Sequence, residues 1–424
     1  MSRPVAVILA GGVSSRFWPL RDKLLLPFGT LTLLDRHLDA LRECGIAAAV
    51  AVTRPDLAEA VREAGRRCGV RLRVALQPEA KGMADALLSA AEAIEADGAD
   101  PAVYVTQAHD VVERRLHAEL LQRWSGEGGS LAGLIAAARV GAYFPGGYLT
   151  LEGGRVTAVV EKPGAGNEPS DLVNIVAHVH GSWRGLKAAL QAESRLPGGD
   201  DVYERALTKL MSRGEYRAHV YDGRWQGLKY PWHALDVMEV LLDLWTAGEE
   251  SPGAGYEQRE DGVFVAPDVR IFPGAHVVPP CLIGPGAVIG HNALVRSSIV
   301  GPGCVVGFGS EVARSLLVGD VELHHNYVGD SILDRGSSMG FGATTANYRI
   351  DGRTVPSVVA GQRQDTGRAK FGLVLGSGTK VGVNTSTMPG VKIGAGALIG
   401  PNLKVTRDVP DGERVLDEEK YGRF

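Results

Sequence analysis

Hydrophobic positions in the first 250 residues form short apolar runs that alternate with stretches of helical spacing. Short apolar runs are typical of buried strands, and apolar residues three or four apart indicate helices. Strands that alternate with helices predict an α/β fold with a largely parallel sheet, whose ligands bind beyond the carboxyl ends of the strands. The predicted elements are strand 5–10, helix 31–44, strand 47–53, helix 57–68, strand 70–76, helix 83–96 and strand 102–106.

From about residue 262 the apolar residues recur every six positions, which suits neither a helix nor an ordinary hairpin array. Glycine-rich turns separate them, so the pattern predicts a parallel β-helix with three short faces per coil and one inward residue per face. The predicted inward residues are Val265, Ile271, Val277, Ile283, Ile289, Val295, then Val300, Val306, Val312, Val318, and finally Leu375, Val381, Thr387, Ile393, Ile399 and Val405.

These two patterns divide the chain into domains 1–250 and 262–410, a polar linker at 249–261 and a tail at 411–424. Composition agrees with the repeat, since glycine accounts for 56 of 424 residues. The 45% of hydrophobic residues excludes a disordered chain. A net charge of −4 gives no sign of nucleic-acid binding, and no apolar run is long enough to span a membrane. We therefore expect a cytoplasmic protein with no nucleic-acid or membrane partner.

The first strand ends in a loop whose residues suit a polyphosphate. Gly11 and Gly12 let backbone N–H groups form an anion-binding concavity, and Arg16 and Lys23 add positive charge. The stretch from Leu9 to residue 27 resembles the signature loop of sugar-1-phosphate nucleotidylyltransferases. The resemblance implies a Rossmann-like nucleotidyltransferase domain. It also implies that Leu9, Gly11 and Gly12 bind the nucleotide and that Arg16 and Lys23 are catalytic.

A further segment follows the order of that family. Gln77 and Gly82 lie in a segment that resembles the one in which the family reads the base, and Gln77 favours uridine or thymidine. Met83 replaces the family's usual threonine. The sequence Phe17-Trp18-Pro19-Leu20 is more similar to that of mannose-1-phosphate guanylyltransferases. UTP or dTTP is therefore the favoured substrate, with GTP as the alternative.

Asp110 follows the strand predicted at 102–106, where a carboxylate is well placed to hold Mg²⁺ on the α-phosphate. The family commonly has a second metal-binding aspartate at the position of Gly227. Three alternatives stay open. Asp222 or Asp236 takes the place of the missing aspartate, or Mg²⁺ is coordinated by Asp110, phosphates and water alone, or nucleotidyl transfer is reduced.

Val159-Val160-Glu161-Lys162-Pro163 matches a family motif that binds the sugar phosphate. By that resemblance Lys162 contacts the phosphate and Glu161 the sugar hydroxyls. Gly147 and Asn174 stand where the family places further sugar contacts.

The β-helix carries a second group of candidate residues. His324, Tyr327 and Asn347 occur in the order found in the acetyltransferase site of the bifunctional N-acetylglucosamine-1-phosphate uridylyltransferase/glucosamine-1-phosphate acetyltransferase family, and the insertion 350–370 resembles archaeal-type members. The resemblance implies a left-handed β-helix, acetyl-CoA as co-substrate, His324 as general base, and Tyr327 and Asn347 in the amino-sugar site. A neutral imidazole can take the proton of an attacking amine.

The favoured interpretation is thus a Mg²⁺-dependent enzyme that joins an NTP and a sugar 1-phosphate and acetylates an amino-sugar phosphate with acetyl-CoA. We expect a homotrimer, because flat β-helix faces leave apolar surface to cover. One alternative is a nucleotidylyltransferase only, with GTP among its candidate substrates and a β-helix that is structural or trimerising. Another is a non-catalytic subunit that senses nucleotide sugars.

Overall fold

The computed structural model describes residues 3–96, 98, 100–127, 129–197, 199 and 201–416. The chain forms two compact units. The first, here called the sheet unit, comprises Met1–Val13 and Leu34–Trp225. The second, the β-helix unit, comprises Ser14–Leu33 and Gln226–Phe424. The segment Ser14–Leu33 and the helix His233–Thr246, both expected in a domain 1–250, therefore pack within the β-helix unit.

The sheet unit is built on one nine-stranded mixed sheet. Its first four strands along the chain are parallel to one another, as predicted. The strand Leu172–His180 runs antiparallel to both of its main neighbours, so the second half of the sheet is mixed rather than parallel. In spatial order the strands are Arg71–Leu76, Ala48–Thr53, Val5–Ala10, Val103–Gln107, Leu172–His180, Gly133–Arg139, Tyr216–Tyr221, Arg155–Glu161 and Gly147–Glu152.

Helices cover this sheet and bury its aliphatic side chains. The alanine-rich helix predicted at 83–96 is wrong as a single element. Ala90 leaves helical geometry at φ −91° and ψ 0°, and two shorter helices result. The helices of this part of the chain are Leu33–Glu43, Ala58–Cys68, Met83–Ser89, Ala91–Glu95, Arg114–Glu127, Trp183–Glu193 and Val202–Arg213. Short 3₁₀ turns occur at Ser15–Phe17, Lys23–Leu25 and Pro55–Leu57, and small strands at Asp110–Val112 and Trp225–Gly227.

The β-helix unit confirms the six-residue repeat. Residues one coil apart pair in parallel register, so the inward side chains form continuous columns through a single apolar core. One column runs through Val265, Ile283, Val300, Leu317, Leu333, Leu375 and Ile393. The spacing in this column falls from 18 residues in the first coil to 16 between Leu317 and Leu333, so no single period describes the whole repeat.

Two of the predicted inward positions differ from the structure. Leu317, rather than Val318, pairs with Val300, because that coil is one residue shorter than the six-residue step requires. Ile271 is 37% exposed, since its strand pairs on one side only, with Val288–Ile289. The other predicted positions are buried or partly buried against the core.

The strands of the β-helix continue beyond residue 410, because Arg414–Val415 pairs with Leu398–Ile399. Residues 417–424 of the predicted tail lie outside the described residues. The coils use the strands Glu257–Glu260, Val263–Val265, Arg270–Ile271, His276–Ile283, Val288–Ile289, Leu294–Val300, Val305–Val306, Glu311–Ala313, Leu316–Leu317, Glu322–Leu323, Tyr327–Gly329, Ile332–Leu333, Ser338–Met339, Thr344–Thr345, Leu373–Leu375, Lys380–Val381, Ser386–Thr387, Val391–Ile393, Leu398–Ile399, Lys404–Val405 and Arg414–Val415.

Three additions complete this unit. A hairpin of Pro27–Phe28 and Leu31–Thr32 belongs to the segment Ser14–Leu33. A second hairpin, Pro356–Val359 with Gln362–Asp365, forms the insertion between two coils. The helix His233–Thr246 packs against the early strands of the β-helix. Within the part of the chain that the structure describes, no helix combines the length and apolarity needed to cross a bilayer.

Candidate functional sites

The predicted nucleotide residues of the sheet unit lie together at the carboxyl ends of its parallel strands. A Cβ placed on Gly11 would come within 2.9 Å of the Gln77 Oε1 atom, so glycine allows this close approach. The Gln77 amide donates to Asp85 Oδ2 at 2.8 Å and to the Gly82 carbonyl at 3.2 Å. Leu9 is the penultimate residue of the buried strand Val5–Ala10, and Gly11 follows that strand directly. The structure therefore brings Leu9, Gly11, Gln77 and Gly82 into one region.

Sequence reasoning missed Arg54 in this region. Arg54 follows the strand next to Val5–Ala10, and its Nη1 donates to the Gly12 carbonyl at 3.0 Å. A two-point contact with Asp56 holds the guanidinium in place. The signal that could have found it is the position of a cation at the carboxyl end of a neighbouring parallel strand.

Arg16 and Lys23 belong to the β-helix unit, as part of Ser14–Leu33. Arg16 is exposed on a 3₁₀ turn. Lys23 is half-buried, and its Nζ donates to the Leu228 carbonyl at 3.2 Å. Their role toward a triphosphate stays a prediction from the sequence.

Asp110 lies at the start of the strand Asp110–Val112, just beyond the carboxyl end of Val103–Gln107. The Trp225 indole N–H lies 3.4 Å from its Oδ2. Mg²⁺ on a nucleotide usually takes one or two protein carboxylates and fills its shell with phosphate oxygens and water, so a single Asp110 suits such an ion. No group of three or more potential metal ligands occurs among the described residues.

The two acids considered as substitutes for the missing second aspartate have other partners. Asp222 is 85% exposed in its side chain and pairs with Arg115 at 2.9 Å. Asp236 belongs to the β-helix unit and pairs with Arg368. Burial raises the pKa of Asp236, and the Arg368 cation opposes that rise. Both acids are thus engaged in ion pairs within their own units.

The predicted sugar residues also lie together in the sheet unit. Gly147 pairs with Glu161 across two antiparallel strands. A Cβ on Gly147 would lie 2.9 Å from Asn174 Oδ1, so Asn174 borders the same spot. Lys162 Nζ contacts Glu161 Oε1 at 2.9 Å, and the Lys162 backbone has a φ of +45° that turns the chain at this point.

Glu204 is a neighbour of this group that the sequence did not reveal. It lies on the helix Val202–Arg213 and is 8% exposed. Burial raises its pKa to about 7, and the nearby Glu161 carboxylate adds to the rise while Lys162 opposes it. A single acid on an amphipathic helix carries no recognisable sequence signal.

In the β-helix unit, two predicted acetyl-transfer residues are in direct contact. The Asn347 amide donates to Tyr327 Oη at 3.2 Å and to Asp330 Oδ2 at 2.5 Å. A Cβ on Gly329 would lie 2.5 Å from Tyr327 Oη and 2.6 Å from Asn347 Nδ2, so the contact needs glycine there.

Asp330 and Arg314 complete this cluster and were missed in the sequence. Asp330 is 1% exposed, and its two oxygens accept from Arg314 Nε and Nη2, both at 2.7 Å. An ionised carboxylate only accepts hydrogen bonds, so the amide nitrogen of Asn347 must face Asp330. The Asn347 carbonyl oxygen is then the group of this side chain that remains to accept a hydrogen bond.

His324 and His325 occupy different environments in the same turn. His324 is exposed, and its backbone N–H donates to the buried Asn326 Oδ1 at 2.7 Å, which holds the turn. The His325 ring stacks between Phe308 and Phe341, with centroids 5.9 and 5.1 Å away. His325 therefore has packing partners of its own, and the predicted base remains His324.

Known proteins are similar to this chain, one family in its first half and others over nearly its whole length. The sequence profile of the MobA-like NTP transferase domain family matches residues 6–196. A bifunctional sugar-1-phosphate nucleotidylyltransferase/acetyltransferase of Sulfurisphaera tokodaii is 26% identical over 96% of this chain and 98% of its own length. The bifunctional protein GlmU of Methanococcus maripaludis strain C7 is 24% identical over 98% of each chain.

A solved structure of a putative glucose-1-phosphate thymidylyltransferase from Bacillus anthracis in complex with a sucrose is 17% identical. Its TM-score is 0.44, over 53% of this chain and 90% of that chain.

Proposed function

We propose that the protein is a two-site enzyme that transfers a nucleotidyl group from an NTP to a sugar 1-phosphate and acetylates an amino-sugar phosphate with acetyl-CoA. The observation that supports it best is the similarity to the bifunctional relative from Sulfurisphaera tokodaii, which extends over 96% of this chain and 98% of that one. A similarity of that extent reaches into both units of the chain.

For nucleotidyl transfer, the backbone around Leu9, Gly11 and Gly12 binds the nucleotide, and Arg16 and Lys23 offset the charge of the triphosphate. Asp110 would hold Mg²⁺, which would supply further positive charge to the phosphates. The sugar phosphate is bound by Lys162, and its hydroxyls by Glu161 with Gly147 and Asn174. The chemistry is an in-line displacement of pyrophosphate, in which positioning and charge stabilisation do most of the work.

Recognition of the nucleotide base is assigned to Gln77 and Gly82, with UTP or dTTP as the favoured substrate. Because the Gln77 amide nitrogen is engaged by Asp85 and Gly82, its carbonyl oxygen is the group available to the base. An imide N–H, as in uracil or thymine, is a suitable donor to that oxygen.

For acetyl transfer, His324 takes the proton of the attacking amine as that nitrogen bonds to the thioester carbonyl carbon of acetyl-CoA. The C–S bond then breaks, and His324 returns the proton to the sulfur, so coenzyme A leaves as the thiol. Tyr327 and Asn347 bind the amino sugar, with the Asn347 carbonyl oxygen toward the amine. The direct contact between these two side chains supports placing them in one site.

One assay matrix tests both halves. Five NTPs are combined with several sugar 1-phosphates and pyrophosphate release is measured, and amino-sugar 1-phosphates are combined with acetyl-CoA and free thiol is measured. We expect release with UTP or dTTP and thiol production with at least one amino sugar. Release without thiol production would favour the structural β-helix. The absence of both activities would favour the non-catalytic sensing subunit.

We further propose a homotrimer formed through the β-helix, whose coils carry exposed apolar side chains such as Phe308 and Phe341. Light scattering on the full chain tests this, and a mass near one chain would contradict it.

A further inference from the structure

The segment Ser14–Leu33, which carries Arg16 and Lys23, is held by the β-helix unit rather than by the sheet unit. We propose that Trp18 is a positioning residue that fixes this segment to the last coils of the β-helix, so that nucleotidyl transfer depends on those coils. The inference rests on the proposed function, because it assumes that Arg16 and Lys23 contact the triphosphate.

Trp18 makes two different contacts with the end of the β-helix. Its indole N–H donates to Asp411 Oδ1 at 2.9 Å. The Lys392 Nζ atom lies 5.2 Å from the centre of its ring, within the range of a cation–π contact. The half-buried indole thus lies against a cation and donates to an anion, and both belong to coils nearly 400 residues further along the chain.

Asp411 and Lys392, which contact Trp18, are themselves held in place by other residues. Asp411 Oδ1 also accepts the Ala395 N–H at 2.9 Å, from the adjacent coil. Lys392 is 2% exposed, and its Nζ pairs with Asp408 at 2.5 Å and donates to the Val358 carbonyl. A buried lysine is tolerated only when such partners satisfy its charge, so the ammonium group has little freedom to move.

The other end of the segment is also held within the β-helix unit. Gly29 adopts a φ of +78°, and a Cβ there would lie 2.9 Å from the Leu282 side chain and 3.0 Å from Tyr256 Oη. Glycine therefore allows the turn to pack closely on an early coil. Arg16 lies two residues before Trp18, and Lys23 lies between Trp18 and Gly29. Both cations are thus tied to a segment fixed at two points.

The contact can be weakened in graded steps. Trp18→Phe keeps a ring beside Lys392 but removes the donor to Asp411, and Asp411→Ala removes the acceptor. Asp411→Asn keeps an oxygen for both N–H groups. Lys404→Ala is the matched control, since Lys404 is an exposed residue of a neighbouring coil.

We expect Trp18→Phe and Asp411→Ala each to lower kcat/KM for pyrophosphate release about 10-fold, as loss of a hydrogen bond to a charged group would. The double variant should lose no more than either single one, because both remove the same contact. Asp411→Asn and Lys404→Ala should stay near wild type. Acetyl transfer and the unfolding temperature should change little in all of them.

Two outcomes would overturn the inference. In the first, pyrophosphate release is unaffected by Trp18→Phe and Asp411→Ala. In the second, both activities fall together with the unfolding temperature, which would indicate a general loss of structure. If the wild type releases no pyrophosphate with any NTP, the proposed function fails instead. In that case, hydrogen exchange tests whether Trp18 fixes residues 14–33 to the β-helix. If it does, the amide hydrogens of residues 14–33 exchange faster in Trp18→Phe than in the wild type.

Discussion

The two candidate sites are built in different ways. In the sheet unit, the candidate residues come from several strand ends and loops, and the charges at the sugar residues are partnered locally, as in the pair of Glu161 and Lys162. In the β-helix, Tyr327 and Asn347 come from successive coils. Tyr327 pairs with Thr344 in parallel register, and Asn347 follows Thr344 by three residues. The comparison indicates that a repeat determines side-chain positions by its coil spacing, whereas a strand-end site depends on each loop separately.

Asp110→Asn tests the first region and should have the largest effect. Without the carboxylate, Mg²⁺ loses its proposed protein ligand, and we expect pyrophosphate release to fall about a thousandfold or more, since such charge stabilisation is worth several kcal/mol. Acetyl transfer should be unchanged. Asp222→Asn is the matched control, because Asp222 is exposed and paired with Arg115. Near-normal release in Asp110→Asn would refute the metal assignment.

His324→Ala tests the β-helix site. Loss of a general base typically costs about 10²–10⁴ in rate, so acetyl transfer should fall by that factor while pyrophosphate release persists. His325→Ala should have a much smaller effect on acetyl transfer, because that ring stacks between Phe308 and Phe341. Equal losses in the two variants would contradict the assignment of the base.

Asp330→Asn tests whether the cluster orients Asn347. An asparagine at 330 can donate as well as accept, so the Asn347 amide is no longer obliged to present its carbonyl oxygen. We expect about a 10-fold to 100-fold loss in acetyl transfer. Glu311→Gln is the control, because it removes a carboxylate partner of Arg296 in the same unit. Unchanged acetyl transfer in Asp330→Asn would show that Asn347 needs no such partner.

Acid should distinguish the stability of the two units. Burial lowers the pKa of His117, His178 and His180 of the sheet unit to about 3. The unfolded chain, with histidine pKa values near 6.5, binds more protons than the folded chain between about pH 6.5 and 3. Stability therefore falls as the pH drops through that window, by about 1.4 kcal/mol per pH unit for each histidine that stays neutral.

Urea unfolding between pH 7.5 and 5, followed by hydrogen exchange, measures this effect. In the β-helix unit the histidines on the coils are exposed (His276, His291, His324 and His325), and burial lowers the pKa of His233 to about 4. Because the sheet unit has three histidines with a pKa of about 3, it should lose protection first. His178→Phe removes one titrating group and should reduce the dependence of the unfolding free energy on pH. A sheet unit whose stability is constant from pH 7.5 to 5 would contradict the expectation.

The sequence by itself determined the class of each region. The six-residue step predicts the inward columns because a β-helix has one such position on each face, and the alternating pattern predicts the first strands within a residue or two. Motif order was enough to pair Tyr327 with Asn347, and to group Gly147, Glu161 and Asn174, which the structure brings together.

Only the tertiary structure decided the rest, because these features depend on contacts between residues far apart in the chain. Leu317 replaces Val318 in its column because coil length varies from one turn to the next. Asp330 and Arg54 have no motif, and their place depends on which strand ends become neighbours. The packing of Trp18 against Lys392 and Asp411 joins positions nearly 400 residues apart, a separation at which no local periodicity carries information.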